Sequence, residues 1–383
     1  MKKSLLSAVA LTAMIAFSGN AWADIIIGIG GPMTGPNAAF GAQLQKGAEQ
    51  AAADFNAAGG INGEQIKLVI GDDASEPQQG VSVANKFVAD GAQFVVGHFN
   101  SGVTMPASEI YRENGVLAVT PAATNVCVTA RKDGPCGDWK EAAPDLLMFR
   151  TCGNDLYQGT FAGKYILDNY AGKNIVVLHD KTAYGQGLAD QTKKTINEGG
   201  LKDVIYEGVT VGEEDFSALV SKIKEAKADL VYWGGLHTEA ARIVKQMREQ
   251  GVEAKFMSAD GITSDEYAAI GGDATEGTLM TFPPDPRTNP ASAAIVKKFV
   301  DAGFNPEAYT LYGYAAMQVI KEGIEKAGGT DTAKVAEYLY SGATIPTVVG
   351  EIQYDKVGDK LDQTYVMYTW KKGTDGKITY VPM

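Results

Sequence analysis

Short apolar runs alternate with amphipathic segments through almost the whole chain, and they do so in two series. The first holds "DIIIGIG", a helical stretch from about Ala38 to Ala57, "QIKLVIG", "PQQGVSVANKFVAD", "AQFVVGH", a helix-like segment after Ser101 and "GVLAVT". The second begins near residue 155 with "DLYQGTFAGKYILDNY" and continues through "NIVVLHD", "YGQGLADQTKKTINEGG", "DVIYEGV", "DFSALVSKIKEAK", "ADLVYWGG", "HTEAARIVKQMREQ", "AKFMSAD" and "GTLMTF". Strand–helix alternation of this kind makes βαβ units, which stack into parallel sheets with helices on both faces. The strands read as near-continuous apolar runs because both faces of such a sheet are buried. Two series predict an α/β protein of two doubly wound lobes. Helical stretches at 290–302, 306–327 and 331–340, followed by "VVGEIQYD", "TYVMYTW" and "ITYVP", suit a late return to each lobe, with "TFPPDPRTNP" as the most Pro-rich crossing.

Residues 1–23 lie outside this pattern. Lys2 and Lys3 precede an apolar stretch, Leu5 to Phe17, and Ala21-Trp22-Ala23 gives a small-x-small cleavage pattern. This reads as a secretory signal peptide, too short to span a bilayer. No Cys follows the apolar run, which argues against a lipoprotein. The formal net charge of −12 lacks the basic footprint of a nucleic-acid binder. An exported protein can keep a disulfide. Cys127 and Cys136 bracket "VTARKDGP" and form the expected pair, with Cys152 left over; three reduced thiols are the alternative. Closing so short a loop contributes about 2.7 kcal/mol at best.

In open α/β sheets ligands sit beyond the carboxyl ends of the strands, so the residues just after each run carry the information. "GIGGPMTGPNAAFG" starts like a nucleotide loop but has Met33 where GxGxxG needs its last Gly, and no GK[ST] follows. We read it as a turn that lets backbone approach a ligand. His98, His179 and His237 each follow a strand, in different lobes, without HExxH spacing, so neither a metal nor a cofactor is called for. Ser101 beside His98 raises the question of a secreted serine hydrolase. The G-x-S-x-G elbow is missing, however, since the local sequence is Gly97-His98-Phe99-Asn100-Ser101. A serine opening a helix instead suits anion capture, because unpaired N–H groups and the helix dipole favour negative charge there. Thr124 in "TPAATN" and the peptide groups near Ala122 offer a second such place. An ordinary N-cap serine and a structural threonine stand as the plain alternative. Asp260, at the end of "KFMSAD", is placed to take an ammonium group. Asp72 and Asp73 precede a Pro-headed helix and are expected to cap it. Phe40, Phe99, Tyr184, Trp233 and Tyr309 are aromatics near element ends, as ligand pockets commonly carry.

The ordered set "DDASEPQQGVSVANKFVADG", "VVGHFNSGVTMPAS", "VTPAAT", "HDKTAYGQGLAD", "DFSALVSKIK" and "GGLHTE" resembles the leucine/isoleucine/valine-binding protein family. These are exported receptors of ATP-driven (ABC) amino-acid importers, with the type I periplasmic binding fold. The resemblance covers essentially all of the chain after the signal. It implies a monomeric periplasmic protein with three crossings: lobe one from 24–154 and 284–363, lobe two from 155–283 and 364–383. It implies no enzyme activity, an aliphatic, branched-chain amino acid as ligand, and a membrane permease as partner. By the same resemblance the ligand carboxylate meets Ser101, Ala122 and Thr124, and the ammonium meets the Ala122 carbonyl, Tyr184 and Asp260. Phe40 matches an aromatic at the cleft mouth, and Phe99 and Tyr309 match side-chain contacts. Lobe one is expected to bind first and lobe two to close over the ligand. Three departures bear on selectivity. Leu236 stands where the family often has Tyr, Asp260 replaces a longer Glu, and the Cys-bearing segment is long. Binding of γ-aminobutyrate, an amide or another small amino acid is the alternative.

Overall fold

The computed structural model describes residues 24–129 and 147–383. The signal segment and Cys136 therefore lie outside the described residues. Lobe one is built on β1 (Ile25–Gly31), β2 (Ile66–Asp72), β3 (Phe94–Val96), β4 (Leu117–Thr120) and β5 (Met148–Arg150). All its pairings are parallel, in the order β2-β1-β3-β4-β5. Helices α1 (Ala38–Ala57), α2 (Pro77–Ala89) and α3 (Ser101–Glu113) connect the strands. β3 and β4 are buried at every position, as their unbroken apolar sequence requires.

The second series forms α4 (Asp155–Asn169), β6 (Ile175–His179), α5 (Ala183–Glu198), β7 (Asp203–Gly208), α6 (Ser217–Glu225), β8 (Leu230–Gly234), α7 (His237–Glu249), β9 (Lys255–Ser258), α8 (Glu266–Gly271) and β10 (Leu279–Phe282). The chain then supplies α9 (Ala293–Asp301), α10 (Ala308–Ala327), α11 (Thr332–Tyr340) and the hairpin β11 (Ile345–Thr347) and β12 (Gly350–Ile352). Residues of α10, α11 and the hairpin share a core with β1, β3 and β4. Finally β13 (Val366–Lys372) and β14 (Ile378–Pro382) join the second sheet antiparallel, giving the order β14-β13-β10-β9-β8-β6-β7.

Strand order reverses between β1 and β3 in one sheet and between β6 and β8 in the other. A crevice opens at such a switch point because neighbouring connections leave to opposite faces. The loops after β3, β6 and β8 carry Phe99 to Ser101, Asp180 to Tyr184 and Gly235 to His237, so both crevices point at one place. A close backbone approach secures the first. A Cβ on Gly97, whose φ is +141°, would lie 2.3 Å from the Gly30 carbonyl oxygen. Only glycine fits there. No helix among the described residues is long and apolar enough to cross a membrane.

Candidate functional site

A cavity of about 710 Å³ lies between the lobes, lined by Phe99, Ser101 and Ala122 from one side and Tyr184, Leu236 and Asp260 from the other. Ser101 is the first residue of α3, with extended Asn100 as its N-cap and no side-chain cap bond. Val103 and Thr104 donate to the Asn100 carbonyl, at 3.0 and 2.8 Å, so it is the opening N–H groups, at Ser101 and Gly102, that are left to whatever fills the cavity. Ser101 Oγ accepts the Asn125 backbone N–H at 3.1 Å, so its own proton is available to donate. Thr120 Oγ1 donates to the His98 carbonyl at 2.7 Å and accepts from Ala123 N–H at 3.0 Å, which fixes the turn that carries Ala122 and Thr124. The Thr124 hydroxyl is buried and has no partner.

The opposite wall is acidic. Asp260 opens a single 3-10 turn after β9. The Tyr184 hydroxyl donates to its Oδ1 at 2.9 Å, and the Tyr309 hydroxyl, from α10, donates to its Oδ2 at 2.7 Å. Tyr184 in turn accepts the Gly261 N–H at 2.9 Å. Burial pushes the Asp260 carboxyl above the usual carboxylate range, and the two phenols hold it back. Rings complete the site. Phe40 stacks on Phe99 at 4.4 Å between centroids, and Tyr309 meets Phe99 edge-on at 5.5 Å. Phe40, expected at the cleft mouth, is fully buried, with its edge against His237 of lobe two at 5.1 Å. Trp233 is also core, donating its indole N–H to the Leu236 carbonyl.

Hydrolase chemistry has no support from this geometry. Both His98 ring nitrogens are engaged, Nδ1 with Asp73 at 2.7 Å and Nε2 with Tyr111 at 2.8 Å, so no histidine serves Ser101 as a base. His237 pairs with Glu266 at 3.0 Å and His179 lies against Tyr206, so the three histidines stay apart. Among the described residues no group of His, Cys, Asp and Glu could hold a metal.

The capping expectation needs correction. Neither Asp72 nor Asp73 caps α2, whose N-cap is Glu76 without a side-chain bond. Asp72 instead ties down the loop after β1 through Met33 and Thr34, and Asp73 serves His98 and Ser75. Of the cysteines, Cys127 is disulfide-bonded and Cys152 is a buried free thiol, pushed up to about 12 by burial. The pairing with Cys136 falls outside the described residues.

The sequence reading missed Arg150, Asp155 and Gln158. Arg150 Nε donates to Asp359 at 2.8 Å, and its Nη1 donates to the carbonyls of Ala123 and Asn125, so it props the turn bearing Thr124. Asp155 resembles any helix-opening acid, and only its burial sets it apart.

Two α/β lobes that meet on a polar and aromatic crevice, at the switch points of both sheets, define a solute-binding protein. Across residues 24–376 the sequence matches the periplasmic binding protein family, and the chain belongs to it. It is 56% identical over 381 residues to a Leu/Ile/Val-binding protein homolog of Brucella suis, covering 100% of both chains. It is 50% identical over 366 residues to an amino acid binding protein of Pseudomonas aeruginosa, covering 95% of this chain and 94% of that one. Among solved structures, a leucine binding protein of Thermotoga maritima is similar with a TM-score of 0.82 and 27% identity, over 93% of this chain and 97% of that one.

Proposed function

We propose that the cleft captures an aliphatic, branched-chain amino acid in the periplasm and hands it to the permease of an ABC-type importer. The observation that carries this reading is the opposition of two unlike walls in one cavity. Helix α3 offers N–H groups and the Ser101 hydroxyl, which suit a carboxylate. Asp260, fixed by a tyrosine from each lobe, suits an ammonium. Between them Phe99, Tyr309 and Leu236 give an apolar surface for the side chain, and the shorter Asp260 and missing ring at Leu236 leave room on the lobe-two side. Burying both ligand charges is tolerable because each is paired and hydrogen-bonded. Closure then follows from contacts the ligand makes with both lobes at once, since a ligand shifts an equilibrium only by its differential affinity. The names of the relatives support the ligand class.

The protein would act as a monomer reaching the periplasm through residues 1–23, and the site chemistry asks for no turnover. Calorimetric titration with leucine, isoleucine and valine, beside γ-aminobutyrate and short amides, tests the reading. Binding of the branched-chain set at micromolar or tighter affinity is expected. Exclusive binding of amides or ω-amino acids would replace it with the alternative.

A further inference from the structure

Behind the turn that carries Thr124 lies a second buried acid with no task in the reading above. Asp155 is the first residue of α4 and only 2% exposed. Its backbone N–H donates to the Thr124 carbonyl at 2.9 Å, which seats it beneath the turn that carries Thr124. Neither of its carboxylate oxygens has a hydrogen-bond partner, and nor do Thr124 Oγ1, Gln158 Oε1 or the Tyr232 hydroxyl nearby. Buried polar groups are almost always satisfied, so such a cluster needs an explanation. All of these groups are acceptors or hydroxyls. What they lack is a donor-rich, positively charged partner.

Among the described residues none supplies one. Arg150 is the cation within reach, but its Nε is on Asp359, its Nη1 on the carbonyls of Ala123 and Asn125, and its Nη2 on Thr129. The other titratable groups facing Asp155 are Asp260, Tyr184, Tyr232 and Tyr365, none of them positive. Burial, and then the charge of Asp260, push the Asp155 carboxyl well above the usual range; the Thr124 hydroxyl pulls the other way. Asp260 has two phenol donors and Asp155 has only the Thr124 hydroxyl beside it, so of the two acids Asp155 is the one that keeps its proton.

We infer that Asp155 is a second carboxylate of the ammonium subsite, and that an incoming ammonium displaces the proton held on Asp155, so ligand capture is coupled to proton release. This rests on the reading of the cleft as an amino-acid site. It narrows the ligand class to molecules that carry a cationic amine, because only those can take the place of the proton. The balance is simple: one proton leaves Asp155 for solvent, the ligand ammonium takes its place as the positive charge between the two acids, and the ligand carboxylate is met separately at the α3 wall.

Titration of the full exported chain with L-leucine at about pH 7, in phosphate and in Tris, measures the proton exchanged from the difference in apparent enthalpy. Wild type is expected to release about one proton per ligand. Asp155→Asn is expected to bind at least about tenfold more weakly and to release less than half as much. Binding by wild type without proton exchange, or identical behaviour of the variant, overturns the inference while leaving the amino-acid reading intact. If circular dichroism shows the variant unfolded, the wild-type proton count decides alone. If wild type binds no amine-bearing ligand in either buffer, the reading of the site falls, and the inference with it.

Discussion

Tyr309 and Asp260 join the two lobes at the ligand cleft: the phenol, carried by α10 on lobe one, donates to the carboxylate of lobe two at 2.7 Å. Tyr184 donates to the other oxygen from within lobe two, at 2.9 Å. The acid is thus held once by its own lobe and once by the opposite one. Opening the cleft breaks the second bond and spares the first.

The two tyrosines should therefore differ in kinetics. Tyr309→Phe removes a bond made only when the lobes meet, and a hydrogen bond to a charged group is worth about 1.5–3 kcal/mol. Affinity should fall by that amount, mainly through faster dissociation. Tyr184→Phe should weaken binding without the same bias toward the off-rate, since its bond to Asp260 is present before closure. Stopped-flow fluorescence separates the two, and equal partition between on- and off-rates in Tyr309→Phe would count against the latch.

Ser101→Ala should lower affinity and stability together. The variant loses a donor to the ligand carboxylate, a loss of about 1.5–3 kcal/mol in binding. It also strands the buried Asn125 N–H that Ser101 Oγ accepts at 3.1 Å, which costs about 1–3 kcal/mol of stability. Calorimetry and thermal melts of one preparation read both. A drop in melting temperature with unchanged affinity would reduce Ser101 to a loop support.

The lobes were legible because buried parallel strands must be apolar throughout, as at Phe94–Val96 and Leu117–Thr120, and because helices must follow them. Ser101 and Asp260 were legible because position after a strand, with a hydroxyl or an acid, already limits what a residue can do. Asp155 and Arg150 were not, since sequence spacing does not reveal burial. Arg150 meets Asp359 across a separation of 209 residues, a contact without local signature. The roles of Asp72 and Asp73 were misread because capping is a local rule, whereas Met33 and His98 claim these acids from the loops after other strands.

Arg150→Met should destabilise the fold. Arg150 and Asp359 are both nearly inaccessible. Removing one partner of a buried pair leaves a charge uncompensated, at about 3–5 kcal/mol. Asn154 and Thr129 still donate to Asp359 and soften the loss. A lower urea midpoint at unchanged m-value is expected, and an unchanged midpoint would mean that Thr129 and Asn154 suffice.

Glu307 should make stability depend on pH near neutrality. Its Oε2, at the head of lobe-one helix α10, accepts the backbone N–H of Asp265 from lobe two at 3.0 Å. Burial, followed by the charge of Asp265, pushes its carboxyl up to about 7, against the pull of Arg287. A carboxyl whose folded value exceeds its unfolded one binds its proton more tightly in the folded state. Its contribution is then fully present below the unfolded value and is lost as pH rises toward about 7. Glu307→Gln keeps an acceptor for Asp265 and removes the charge. The two proteins should melt together near about pH 4, below the unfolded value, and the variant should melt higher near about pH 8. Calorimetric melts across that range give the comparison, and a gap that does not widen with pH would take the titration away from Glu307.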